Sequence, residues 1–130
     1  MRFSRIVLVV AFFTLPCGLF GQSASLGHTE TGLAAVYSSR LNGHTTSRGQ
    51  IYDQNKLTAA HRSLPYGTKI KVTNPKNHRS VVLRVNDRGP AQQERVLDIS
   101  PAGARQLGIP PNTMRPVQLE VVSLGGHTKP

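Results

Sequence analysis

The chain has 130 residues, enough for one domain with one core and too few for two. Its 16 Lys and Arg against 6 Asp and Glu give a net charge of +10, which points to an anionic partner: nucleic acid, acidic lipid or a polyanionic wall. Aromatics make up only 5% and Trp is absent, which argues against a groove that stacks single-stranded bases.

In chain order, the first segment has the layout of a secretory signal peptide, assigned to residues 1–23. Arg2 and Arg5 precede an apolar run from Ile6 to about Leu15, and small and polar residues follow. The run is too short to span a bilayer, so no stable membrane span is expected once the signal is removed. Cys17, the only cysteine, falls inside it. Pro16 stands where a lipidation signal needs a small residue, so lipid anchoring at Cys17 is not expected. The mature chain keeps a charge of +8 after losing Arg2 and Arg5, has no disulfide, and is assigned to the periplasm.

Residues 24–31 read as a short leader. The apolar run Gly32 to Tyr37 suits a buried first strand. Ser38 to Gly49 is polar and reads as a loop, and Ile51–Tyr52 as a short strand. Asn55 to His61, NKLTAAH, predicts one or two helical turns capped by Asn55. After a turn at Leu64–Gly67, Thr68 to Thr73 alternates as a strand. Turn residues from Asn74 to His78 lead into a second strand, Arg79 to Asn86, and the two predict a hairpin. Arg95 to Ile99 is another strand. Ser100–Pro101 then opens a helix, with Ser as cap and Pro in its first position, that ends before Gly108. Pro116 to Val122 is the last strand and residues 123–130 a flexible tail. About six short strands and a helix predict a small closed β-barrel.

Within this frame VVLRVNDRGP, Val81 to Pro90, poses a chemical question. It starts as an alternating strand and ends on an acid beside an arginine in a Gly-Pro turn. Strand ends on a stiff scaffold are where sites are built, although an Asp there can equally bond its own turn.

Three segments stand together: LTAAHRSLPYGT (Leu57 to Thr68), RVNDRGP (Arg84 to Pro90) and RVLDIS (Arg95 to Ser100). With Gly32 to Tyr37 and the final PVQLEVV, they resemble the double-psi β-barrel domain of the RlpA family, septal-ring peptidoglycan lytic transglycosylases, over residues 32–122. The resemblance implies a mostly β fold: a six-stranded double-psi barrel with one or two short helices. It implies endolytic cleavage of glycan strands between N-acetylmuramic acid and N-acetylglucosamine, with a 1,6-anhydro product; the residues themselves give no support for a cofactor or metal. Asp87 becomes the catalytic candidate and His61 its partner. Gln50, Tyr37, Thr58, Arg84, Asn86, Arg88 and Asp98 become candidate substrate-binding residues.

The chain departs from the family pattern at three places. Gln50 stands where the family has a Glu, Val36-Tyr37-Ser38 replaces a Trp-Tyr-Gly, and Ala91 replaces the aromatic after the NDRGP motif. The expected partners are peptidoglycan glycan strands and septal division proteins. Many family members carry a second wall-binding domain after the barrel, and none follows within these 130 residues.

The chemistry needs an acid to protonate the glycosidic oxygen, after which the sugar's own 6-hydroxyl attacks the anomeric carbon. One carboxyl can perform both transfers, whereas ordinary hydrolases need two. An arginine next to Asp87 would lower its pKa, so Arg88 must point elsewhere or Asp87 must act as a base. The remaining histidines show no metal-ligand spacing, and no phosphate loop occurs. A non-catalytic, expansin-like wall-binding protein is the alternative. A nucleic-acid binder is disfavoured by the signal segment and the scarce aromatics.

Overall fold

The computed structural model describes residues 25–125. The segment read as a signal peptide and Cys17 lie outside the described residues, as do residues 126–130.

Six strands form the wall: β1 (Thr29–Val36), β2 (Thr58–Ala60), β3 (Lys69–Asn74), β4 (Arg79–Asp87), β5 (Arg95–Ile99) and β6 (Met114–Ser123). One helix, α1 (Pro101–Leu107), follows β5, and a 3-10 turn spans Ser39–Leu41. The strands close in the order β1–β5–β2–β4–β3–β6. The β1/β5 and β2/β4 pairs are parallel and the other four antiparallel, giving the mixed, interlocked double-psi barrel.

Alternation along the strands builds the core. Ile70 and Val72 of β3, Leu83 and Val85 of β4, and Leu119 and Val121 of β6 point inward and are buried. Leu97 and Ile99 of β5 and Leu107 of α1 complete it, each contributing about 1.5–3 kcal/mol through burial. The predicted hairpin pairs Ile70 with Leu83 and Val72 with Val81.

Helix α1 starts as its sequence dictates. Ser100 Oγ accepts the Gly103 N–H at 3.2 Å, Pro101 holds the first position, and Gly108 ends the helix at φ 68°. Gly103 lets the helix lie on the barrel: a Cβ there would sit 2.8 Å from Leu83 Cδ2 and 3.0 Å from Ile99 Cγ2.

Three expectations are corrected. Asn55 to His61 holds no helix: its second half is β2. The Thr58–Ala60 backbone fills the slot between β4 and β5, and barrel closure overrides the weak local preference of Ala-Ala. Ile51–Tyr52 is not a strand but contributes a single bridge from Ile51 to Thr45. β1 begins at Thr29, three residues before the apolar run, because Thr29–Gly32 pair with β6.

Candidate active site

Ala60, at the end of β2, organises the site. It pairs in register with Asp87 at the end of β4 and with Asp98 on β5. The β2/β4 register shifts between Ala59 and Ala60, so the ladder is irregular there. Two carboxylates flank one small buried residue, on strands separated by β2 and so about 10 Å apart at the backbone. Gly89, in the turn after β4, lies beside Asp98 and takes a φ of 128° that L side chains rarely adopt.

The two acids have opposite surroundings. Asp87 Oδ1 accepts from Ser47 Oγ at 2.7 Å, from the Ser47 N–H at 3.0 Å and from the Arg88 N–H at 2.8 Å. Its Oδ2 accepts from the Tyr37 hydroxyl. Burial alone would raise its pKa, but the donors of Ser47, Tyr37 and the Arg88 backbone together hold it below the ordinary carboxylate value. Among the described residues Asp98 has only Arg95 Nη2, at 3.6 Å. Its pKa is raised, first by burial and further by the negative charge of Asp87, against the opposing pull of Arg95.

Tyr37 is the shared wall of the site. Burial and the bond to Asp87 push its hydroxyl far above its ordinary pKa, so it stays a proton donor in its hydrogen bond. Its ring stacks on Tyr52 with centroids 4.9 Å apart.

Arg88 does point elsewhere. Its Nη1 donates to the carbonyls of Leu64 at 2.7 Å and His61 at 3.3 Å, and the guanidinium lies 4.0 Å from the centroid of the Tyr66 ring. Only its backbone N–H serves Asp87.

His61 is buried, with 2% exposure, and its ring turns to Glu30. Nδ1 accepts the N–H groups of Ser63 and Leu64, both at 3.0 Å, so the ring proton sits on Nε2 and donates to Glu30 Oε2 at 2.9 Å. Burial lowers its pKa more than the Glu30 carboxylate raises it. What links His61 to Asp87 is the backbone: its N–H donates to the Asp87 carbonyl at 3.2 Å.

The other sequence candidates scatter more widely. Asn86 is buried beside Asp87. Thr58 pairs with Arg84; its N–H donates to Ser100 Oγ at 3.2 Å and its carbonyl accepts the Ser100 N–H at 3.0 Å. Arg84 has a buried Nε without a partner. Gln50 is exposed and closes the Thr46–Gln50 turn through its backbone, so it positions the neighbouring Ser47.

Sequence reasoning missed Ser47, Glu30 and Tyr66. Ser47 gives Asp87 two donors, accepts the Arg88 N–H at 2.9 Å and bonds the Tyr66 hydroxyl at 2.9 Å. The only signal for it was its place in the SRGQ stretch set against the family's Glu motif. Among the described residues no group of three or more His, Cys, Asp or Glu could hold a metal. No described helix is long and apolar enough to cross a membrane.

Comparison with known proteins agrees with this architecture. The lytic transglycolase family model matches residues 29–119. The endolytic peptidoglycan transglycosylase RlpA of Vibrio cholerae is 44% identical over 104 residues, covering 80% of this chain and 40% of the relative. The chain thus spans about two fifths of that relative's length. The Streptomyces papain inhibitor superposes with a TM-score of 0.61 at 18% identity, covering 78% of this chain and 100% of that one. A Clavibacter michiganensis expansin does so at 0.60 and 23%, covering 74% of this chain and 51% of that one. At those identities the structural likeness carries the fold alone. The matched barrel and its motif-bearing strand ends place this chain in the RlpA family of lytic transglycolases.

Proposed function

We propose that this protein cleaves peptidoglycan glycan strands by lytic transglycosylation, between N-acetylmuramic acid and N-acetylglucosamine. The observation that carries the reading is the pair of oppositely tuned carboxyls flanking Ala60. Asp98, the carboxyl whose pKa burial raises, acts from its protonated form and gives its proton to the glycosidic oxygen as that bond breaks. Asp87, kept ionised by Ser47 and Tyr37, faces the developing positive charge and takes the proton of the 6-hydroxyl as its oxygen bonds the anomeric carbon. The product carries a 1,6-anhydro ring. Asp98 is then ionised and Asp87 protonated, and solvent exchange restores both. His61 acts from behind: it fixes the backbone that bonds the Asp87 carbonyl and the turn that holds Arg88. The +8 charge left without Arg2 and Arg5 suits an anionic wall polymer, and the signal-like first 23 residues support action in the periplasm. Septal division proteins are the partners this reading implies.

The test is digestion of purified peptidoglycan by the mature protein and by Asp98→Asn and Asp87→Asn, read by mass spectrometry. Anhydro-ended fragments from wild type and a loss of at least about 100-fold in each variant are expected. A second reading, a non-catalytic wall binder, is favoured by the neutral Gln50 at a family carboxylate position. Co-sedimentation with intact wall without new anhydro ends would select it.

A further inference from the structure

Tyr37 joins two places. Its hydroxyl serves Asp87, and it lines a cavity of about 740 Å³ between the end of β1, the 3-10 turn and α1. Val36, Ala104 and Ile109 give part of that cavity an apolar wall beside the polar Gln54 and Asn112, while Arg40 of the turn and Arg105 of the helix bring two positive charges. No Asp or Glu lines it. Neither guanidinium forms a hydrogen bond or ion pair with a described residue, and both residues are exposed. The arginines closer to the acids are committed elsewhere: Arg88 to carbonyls and the Tyr66 ring, Arg95 to Asp98. The volume lies within the range of small-ligand sites.

Apolar wall with two uncommitted guanidiniums suits a short apolar group that ends in a carboxylate. Peptidoglycan offers that group on every second sugar: the lactyl ether of muramic acid, a methyl-bearing carbon attached to a carboxyl. We propose that this cavity is a subsite for the acidic substituent of the muramic residue next to the cleaved bond, with Arg40 and Arg105 holding its carboxylate. The proposal rests on the peptidoglycan reading above. The carboxylate belongs either to the lactyl group of a peptide-free strand or to an attached peptide, and the chemistry of capture is the same.

The test is calorimetric titration of the mature Asp98→Asn protein, which blocks turnover, with four tetrasaccharides of equal length. One is a wall glycan with its lactyl acid free; the second has that acid capped as a neutral amide. The third carries peptides, and the fourth is the unsubstituted N-acetylglucosamine oligomer. Binding of the free-acid or the peptide-bearing glycan about tenfold more tightly than the unsubstituted oligomer is expected, which corresponds to about 1.4 kcal/mol. R40Q/R105Q should erase that preference with an unchanged thermal midpoint, and each single variant should erase part of it. A gain for the free acid that the amide loses assigns the carboxylate to the lactyl group; a gain confined to the peptide-bearing glycan assigns it to the peptide. Equal binding of all four glycans, or a preference that survives in folded R40Q/R105Q, overturns the proposal. The two readings separate cleanly. An acid preference without anhydro products from the wild type sinks the enzyme and leaves the subsite, whereas anhydro products without a preference do the reverse.

Discussion

Replacing Tyr37 by Phe removes one hydroxyl and keeps the ring that stacks on Tyr52. The hydroxyl donates to Asp87 Oδ2, and the other three donors all go to Oδ1. Tyr37→Phe therefore leaves one carboxylate oxygen without its protein donor. A hydrogen bond to a charged group is worth about 1.5–3 kcal/mol, and the partial exposure of Asp87 argues for the lower end. The sign with pH follows from the depressed pKa of Asp87. Its donors stabilise the fold above the ordinary carboxylate value, and that stability is lost as pH falls through the lower folded value. The variant should thus lose about 1.5 kcal/mol near neutral pH, or about 7 °C in Tm for a domain of this size. The deficit should shrink as the carboxyl becomes protonated. In the digestion assay the acid limb of the pH–activity profile should move to higher pH. Thermal unfolding of wild type and variant across the acidic range measures the first effect. A deficit that is the same at acid and neutral pH, or none at all, would refute the view that this hydroxyl holds an ionised Asp87.

Asp98→Asn should abolish anhydro-product formation yet raise Tm by a few degrees, on the order of 1 kcal/mol or less, because it removes a buried charge with one distant partner. Measured at neutral pH, a lower Tm would mean that the Arg95 contact outweighs burial. The lowered pKa of His61 makes the fold acid-sensitive: below the ordinary histidine value the unfolded chain takes up a proton that the buried ring resists. Urea midpoints should fall between about pH 8 and about pH 5, and more steeply in Glu30→Gln, which removes the charge that favours the protonated ring. Gly103→Ala should cost about 1–3 kcal/mol by forcing α1 off Leu83 and Ile99, read as a lower midpoint of denaturation; an unchanged midpoint would show that the helix can shift at no cost.

Legibility in the sequence followed the range of the forces involved. The β3/β4 hairpin, β5 and the Ser100-capped helix obey local rules of alternation, turn chemistry and capping, and each lies within two residues of its expected bounds. β2 was hidden because three residues with weak strand preference become a strand only between β4 and β5. The site divides the same way. The family resemblance of the NDRGP motif after β4 marks Asp87, but Ser47 lies 40 residues away in sequence and Glu30 lies 31 residues from His61. Polar side chains in an unremarkable loop or strand acquire a partner only when the barrel closes. The neighbourhood of Asp98 and Asp87 is likewise a product of register across β2, which no linear spacing encodes.

The pairing of β6 with both β1 and β3 has a consequence for the life of the chain. The last strand is the keystone between the first and the third, so closure waits until residues near Ser123 are available. Until then β1 lacks one of its two neighbours, and Tyr37, at its end, has no settled frame from which to reach Asp87. Such non-local pairing also makes folding slow relative to helical proteins of equal size. A nascent chain therefore carries both acids in an unassembled state, and their arrangement forms late, when the final ten-residue strand locks in.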